Sequence, residues 1–392
     1  MSIEPTPPPS RRAVLRCAAF GAAGVSLATV GHGLARPQSS GRAFGPLRAP
    51  DAHGLRLPEG FAGRVVATSG QEVAGTGHVW HADPDGGATF ACEDGGWVYV
   101  SNAESRQDRG GVGALRFAPD GELVDAYSIL SGTNLNCAGG PTPWGTWLSC
   151  EEHPRGRVFE CDPQRPGSEG QARPALGTFQ HEAAAVDPEG QALYLTEDQP
   201  DGRLYRFRPA AYPDLSEGVL EVAEIEGDAA VVRGEPRPLR WHPVPDPAFS
   251  GPRETRHQVA RSTAFRGGEG CWYHAGEVWI STKHDNRVWR LDLAAGTIEV
   301  VYDLAASPEA PLSGVDNVFV APDGQVYVAE DGGNMELVAL ARDGRAEPFA
   351  RIEGSTGSEV TGPALAPDGR RMYFSDQRNP GRTFEVTGPF LA

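Results

Sequence analysis

The chain is nearly devoid of lysine: Lys283 stands alone among 35 basic residues, and the rest are arginine. Those 35 are outnumbered by 52 acids, which leaves a formal net charge of −17. A surface of that sign repels a phosphate backbone, so nucleic acid is excluded as a partner. After the N-terminal leader, no stretch approaches the roughly 18 apolar residues that a membrane span needs. Long helices are excluded by 50 glycines and 34 prolines in 392 residues, since each costs about 1 or about 3 kcal/mol inside a helix. Two common catalytic devices are also missing. The sequence has no Walker-type glycine loop and no evident Ser nucleophile with a His base. A hydrophobic fraction of 39% is nevertheless enough for a core, and excludes a disordered chain.

The N-terminus carries Ser10-Arg11-Arg12-Ala13-Val14-Leu15-Arg16, then an apolar, small-residue stretch from Cys17 to Val30, then Gly33-Leu34-Ala35. This order is that of a twin-arginine export leader with a small-residue cleavage site, and predicts a signal peptide over 1–35. The alternative is a plain basic terminus or an uncleaved anchor. The twin-arginine machinery carries folded proteins, which suits a chain loaded with metal or cofactor before export. Without Cys17 five cysteines remain: Cys92, Cys137, Cys150, Cys161 and Cys271. Five is odd, so at least one thiol stays out of any intrachain disulfide.

A repeat runs through the rest. An aromatic, an apolar and a small residue recur, followed by polar ones. The copies begin at Tyr99, Trp147, Tyr194, Trp279, Tyr327 and Tyr373, with a period of roughly 47 residues and one gap nearly twice as long. Turn sequences precede several copies, as in Pro188-Glu189-Gly190, Pro322-Asp323-Gly324 and Pro367-Asp368-Gly369, which is a hairpin signal. Several strands per unit at this period predict an all-β fold, a six-bladed β-propeller. The mature chain, 36–392, is then a single domain. The long gap implies an insertion of roughly 38 residues, placed within about 209–258. A degenerate seventh blade is the competing reading of that stretch.

The repeated strand ends in polar residues blade after blade: Asn102, Glu151, Glu197 and Asp198, Glu330 and Asp331, Asp376. Equivalent positions in a propeller lie on one ring, so these carboxylates are expected near one mouth of the channel. Crowded carboxylates raise one another's pKa, and a bound cation relieves them. Bonds to backbone that tie blades together are the alternative use of such acids.

The most distinctive segment runs Asn136-Cys137-Ala138-Gly139-Gly140-Pro141-Thr142-Pro143-Trp144-Gly145-Thr146-Trp147-Leu148-Ser149-Cys150-Glu151-Glu152. Its glycines and prolines read as a rigid turn that holds Cys137 near Glu151 and Glu152. A thiolate beside carboxylates calls for a metal. This segment resembles the signature of the PhoX-type alkaline phosphatases, secreted twin-arginine-exported propellers that carry iron and calcium. Further along, Val100-Ser101-Asn102-Ala103-Glu104, Phe179-Gln180-His181-Glu182, Arg266-Gly267-Gly268-Glu269, Asp316-Asn317 and Glu330-Asp331-Gly332 follow the order of that family's segments. Ala103 stands where the family has histidine, and two glycines stand where it has one proline before Glu269. At this length the chain is similar to a short branch of the family.

The resemblance implies phosphomonoester hydrolysis at an iron and calcium cluster at the mouth of the channel. Cys137 would bridge two irons. Glu151 or Glu152, Glu182 and Glu269 would be acidic ligands, with Asp316, Glu330 and Asp331 as further candidates. Arg266 would clamp a phosphate oxygen, acting with Glu269 in catalysis. The implied partners are small phosphorylated substrates and the twin-arginine machinery. The product is expected as a monomer in the periplasm or outside the cell. Two readings compete: a calcium-dependent lactonase-like propeller hydrolase, which needs no cysteine, and a non-catalytic secreted binding propeller.

Overall fold

A computed structural model describes residues 44–227, 230–378 and 380–391. The expected leader lies outside the described residues. Among them the helical elements are four short 3-10 turns and all else regular is strand. No helix is long and apolar enough to cross a membrane.

The strands form six antiparallel four-stranded blades. Their innermost strands are Pro84–Ala91, Asn136–Pro141, His181–Asp187, Gly268–His274, Val315–Val320 and Val360–Leu365. Each lies against the next, and the sixth returns to the first. The ring is closed by sequence-distant pairing: the early strand Ala62–Thr68 becomes the outer strand of blade 6, beside Arg382–Thr387. Leu55–Arg56 likewise extends blade 5. Blades 3 and 4 are joined at their outer edges by Arg237–Pro243, which pairs with Asp214–Ile225 on one side and Thr297–Asp303 on the other. The long gap in the repeat therefore holds the fourth strand of blade 3 and this extra strand.

The repeated aromatic residues fall on the second strand of successive blades, as the sequence implies. Tyr99, Trp147, Tyr194, Trp279, Tyr327 and Tyr373 are all buried, and burial of such a side chain stabilises by roughly 2 kcal/mol. Turn chemistry supports the preceding hairpins. Asp187 Oδ1, for example, accepts from the N–H groups of Glu189 and Gly190, each at 3.0 Å.

The rigid turn expected around Cys137 needs correction. Asn136–Pro141 is itself the innermost strand of blade 2, and the turn lies beyond it at Thr142–Thr146. The paired glycines serve close packing instead. A Cβ at Gly139 would lie 1.9 Å from Leu148 O, and one at Gly140 1.7 Å from Ala184 O. The inner strands thus approach so closely that the axial cavity measures only about 20 Å³, room for roughly one water.

Candidate metal centre

Every inner strand carries the same irregularity near its start. Three residues of the inner strand span two of its neighbour, between Pro84 and Gly87, Asn136 and Gly139, His181 and Ala184, Gly268 and Cys271, Val315 and Val318, and Thr361 and Ala364. This is a β-bulge, which bends the strand and re-aims side chains. In the first five blades the residue entering the bulge is Asp85, Cys137, Glu182, Glu269 or Asp316. In blade 6 the bulge sits one residue later, and Glu359 supplies the acid just before the strand.

A second ring stands beside the first. It consists of the residue that follows each second strand: Glu104, Glu152, Asp198, Lys283, Asp331 and Gln377. In four blades its N–H donates to the carbonyl two residues before the inner-ring position: Glu104 to Asp83, Glu152 to Leu135, Lys283 to Gly267 and Asp331 to Gly314, at 2.7 to 2.9 Å. In blade 6 Gln377 N donates to the carbonyl of Glu359 itself at 3.1 Å. Backbone pairing thus fixes both rings at one mouth before any side chain is considered.

The side chains converge into overlapping groups, each with its ligand atoms within 4.8 Å of one another. They are Glu104 with Cys137 and Glu152; Asp85 with Glu104 and Glu359; Glu182 with Glu269 and Asp316; and Asp316 with Asp331 and Glu359. Cys137 Sγ lies 3.6 Å from Asp85 Oδ2, and the thiol is free. Its strand is held by buried Asn102, whose Nδ2 donates to the carbonyls of Cys137 and Ala138 at 3.0 and 2.7 Å. Asn102 Oδ1 in turn accepts from Trp147 Nε1 and Ser149 Oγ. Asn102 therefore positions the thiol and is not itself in the cluster.

Three cationic or amide groups reach in from one side. Lys283 Nζ is 2.9 Å from Glu269, 3.1 Å from Asp331 and 3.8 Å from Asp316. Arg378 is 3.3 Å from both Glu104 and Glu359. Gln377 Nε2 donates to Asp85 and Glu104. On the opposite side, Gln180 Nε2 donates to Glu152 at 2.9 Å, and Gln199 Nε2 donates to Gln180. Glu182 is fully buried, and neither of its oxygens has a hydrogen-bond partner. Asp198 Oδ1 is likewise buried and unpartnered.

The electrostatics follow from this crowding. Burial and then Glu269 and Glu152 hold the Glu182 carboxyl far above its usual range. Burial with Glu104 and Asp198 pushes Glu152 up to about 8. Asp316 rises to about 6 through burial, with Lys283 opposing. Burial and then Asp85 and Glu182 push the Cys137 thiol well up. These acids cannot all ionise without an added positive charge. The donor set fits metal: a thiolate suits a softer ion such as iron, and the carboxylates suit calcium. Glu182 is a buried donor with nothing else to bind.

Of the residues singled out from sequence, Cys137, Glu152, Glu182, Glu269, Asp316 and Asp331 meet here. Glu151 and Glu330 do not. Glu151 accepts from the backbone of Asn134 and Arg157 at 3.2 and 3.1 Å, and Glu330 from that of Ser313 and Glu336 at 2.7 and 3.1 Å. Glu197 accepts from Arg203 N and the Tyr205 hydroxyl, and Asp376 from the side chains of Ser355, Ser358 and Arg382, so neither enters the cluster. The physical reason is the two-residue period of a strand: a one-residue shift turns a side chain to the other face. Arg266 is exposed on the segment leading into the inner strand of blade 4, and its carbonyl accepts from His284 N. Sequence reasoning placed Asp198 at the channel mouth but missed Asp85, Glu104, Lys283, Glu359, Gln377 and Arg378 as members of the cluster. Placing the acids of the inner strands in one register would have found Asp85.

A search of curated proteins by sequence gives no match. Among solved structures, the fold is similar to Pseudomonas fluorescens PhoX in complex with vanadate, a transition-state analogue. The TM-score is 0.72 at 16% identity, over 89% of this chain and 97% of that one. A Bacteroides thetaiotaomicron protein of unknown function follows at a TM-score of 0.50 and 11% identity, over 87% and 84% of the two chains. A Xanthomonas campestris gluconolactonase scores 0.46 at 13% identity, over 89% and 99%. The sequence profile of alkaline phosphatase PhoX matches residues 86–157, 153–299 and 273–381. That span takes in both rings except Asp85, and most of the propeller, and so the chain belongs to the PhoX family of alkaline phosphatases and is a phosphoric monoester hydrolase.

Proposed function

We propose that the chain is an exported phosphatase whose activity requires iron and calcium held by the two rings at the channel mouth. One observation carries this reading: Glu182 is buried without a partner on either oxygen, in a ring that also holds the free thiol of Cys137. Cys137, Glu104, Glu152 and Glu182 would hold iron, and Asp85, Glu104 and Glu359 would offer oxygen ligands for calcium. Glu269 and Asp331 complete the acidic wall. When bound, the metals would supply positive charge against the phosphoryl oxygens and make water a better nucleophile.

The chain's own residues do the rest. Arg266, exposed at the rim, would clamp a phosphoryl oxygen through its planar fork. The Gln199–Gln180 relay orients Glu152, and Asn102 fixes the strand of Cys137. The axial cavity is too narrow for a phosphoester, so substrate would approach from the rim, where an organic leaving group can remain in solvent. Residues 36–392 would form a single domain behind a twin-arginine leader over 1–35. That arrangement loads metal before export and delivers the enzyme to the periplasm or beyond.

The test is hydrolysis of an aryl phosphate by purified protein, with metal content measured on the same sample. A phosphodiester and a lactone serve as controls. Monoester turnover should vanish on chelation and return with iron and calcium. Turnover that survives complete chelation, or a preference for the lactone, would overturn the reading.

A further inference from the structure

The Lys283 ammonium occupies an unusual place. It is the chain's only lysine, and it stands at the one position of the second ring where a cation replaces an acid or amide. Its nitrogen lies among three carboxylates, at 2.9 Å from Glu269, 3.1 Å from Asp331 and 3.8 Å from Asp316. Three carboxylates from two adjacent blades are the kind of oxygen set that a divalent ion takes. The backbone holds the lysine there: Lys283 N donates to Gly267 O at 2.7 Å, and the 3-10 turn Lys283–Asp285 follows at once. Next to it, on the blade 3 side, the donors are in the opposite state, although Glu182 comes within 4.8 Å of Glu269 and Asp316. Glu182 and Asp198 keep buried oxygens with no partner, and no arginine or lysine forms an ion pair with Glu152 or Glu182 among the described residues.

We propose that the Lys283 ammonium is a built-in cation, standing where a divalent ion would otherwise bind Glu269, Asp331 and Asp316, so that this chain's metals are confined to the Cys137 side of the ring. This rests on the metal-dependent reading above. The chemistry favours lysine over arginine for such a place. An ammonium is a compact point charge with three donors, whereas a guanidinium is planar and wide. That accounts for one lysine in a chain otherwise built with arginine. A divalent ion bound by Glu269 and Asp331 would have to lie within contact distance of Nζ, and the two positive charges would repel. The side chain must therefore leave before an ion enters.

Two measurements test this on the full chain. The first is elemental analysis of wild type and Lys283→Met after equilibration with excess iron and calcium and removal of free metal. Lys283→Met should carry one divalent ion more per chain than wild type. Equal, non-zero contents would overturn the inference and leave the phosphatase reading intact. The absence of metal from both would overturn the reading on which it rests. The second needs no variant. Acylation of the single lysine in wild type, followed by peptide mapping, should proceed at the same rate with and without saturating calcium. A several-fold increase with calcium would mean that the ion displaces the ammonium, and would overturn the inference even if Lys283→Met fails to fold.

Discussion

Removing metal from this protein should make its stability fall as pH rises, the reverse of the usual behaviour of salt-bridged acids. In the folded chain Glu152 is pushed up to about 8 from 4.5, and Asp316 to about 6 from 3.8. A carboxyl with a raised native pKa keeps its proton in the fold after the unfolded chain has lost it. Between the two values the native state binds more protons, so unfolding becomes easier with each step up in pH. One pKa unit is worth about 1.4 kcal/mol. Glu152 alone then costs about 5 kcal/mol by pH 8, and Asp316 about 3 kcal/mol by pH 6. The two share neighbours, so their effects do not add in full. A working figure is about 5 kcal/mol between pH 5 and pH 8. At about 2 °C per kcal/mol for a large domain, the chelated protein should lose on the order of 10 °C in Tm.

The assay is scanning calorimetry of chelated and metal-loaded protein across that range. The loaded protein should show a shallower slope, because its ring acids are ionised against metal while Glu330 and Glu197, held up to about 8 and about 7 mainly by burial away from the rings, still titrate. Glu152→Gln should flatten the chelated curve, since the amide has no proton to lose. A chelated protein equally stable at pH 5 and pH 8, or a Glu152→Gln variant with the full slope, would refute the electrostatic reading of the rings.

Three further outcomes follow from particular atoms. Cys137→Ala should lose metal and at least about 100-fold in phosphomonoester turnover, a loss that even outer-shell partners of a metal can cause, while costing no more than about 2 kcal/mol in denaturant unfolding. Glu151→Gln should keep the wild-type metal content yet lose about 2 kcal/mol by calorimetry, because its carboxylate serves the backbone of Asn134 and Arg157. Gly139→Ala should lower the circular-dichroism midpoint by the equivalent of about 3 kcal/mol or more, since its methyl would overlap Leu148 O.

Glu151 and Glu152 show how far the sequence could be read. The propeller was legible because six buried second strands each need an aromatic residue, and tertiary packing enforces that spacing. The place of Cys137 among the acids was legible because its segment sets a thiol beside glycines and acids. The register of the acids was not. Counted from the aromatic, Glu151 aligns with Asp331 and Gln377 of the second ring rather than with the strand-end acids Glu330 and Asp376, because blades 1 and 2 run one residue further past the aromatic than blades 3 to 6. Tyr99 and Trp147 stand four residues before their strand ends at Ala103 and Glu151, whereas Tyr194 and Trp279 stand three before Glu197 and Thr282. One residue of difference sends a side chain to the opposite face.

The inner ring was hidden for a related reason. Asp85, Glu182 and Glu269 lie in strands of seven or eight residues, whose alternation says only that they face one side or the other. What turns them to the mouth is a bulge, and a bulge is a property of two strands paired together. Its recurrence in all six blades suggests a division of labour within each unit. The second strand spends its last carboxylate within its own blade, on backbone N–H groups for Glu151, Glu197 and Glu330 and on side chains for Asp376. The bulged inner strand and the residue just past the second strand are thereby free to vary in charge without loosening the blade. Asp85 and Cys137 share one backbone position, and Lys283 and Gln377 share the other, yet within each pair charge and size differ. The charges of the two rings can therefore vary one residue at a time on a fixed frame, and Lys283 among acids is the kind of variation that this frame permits.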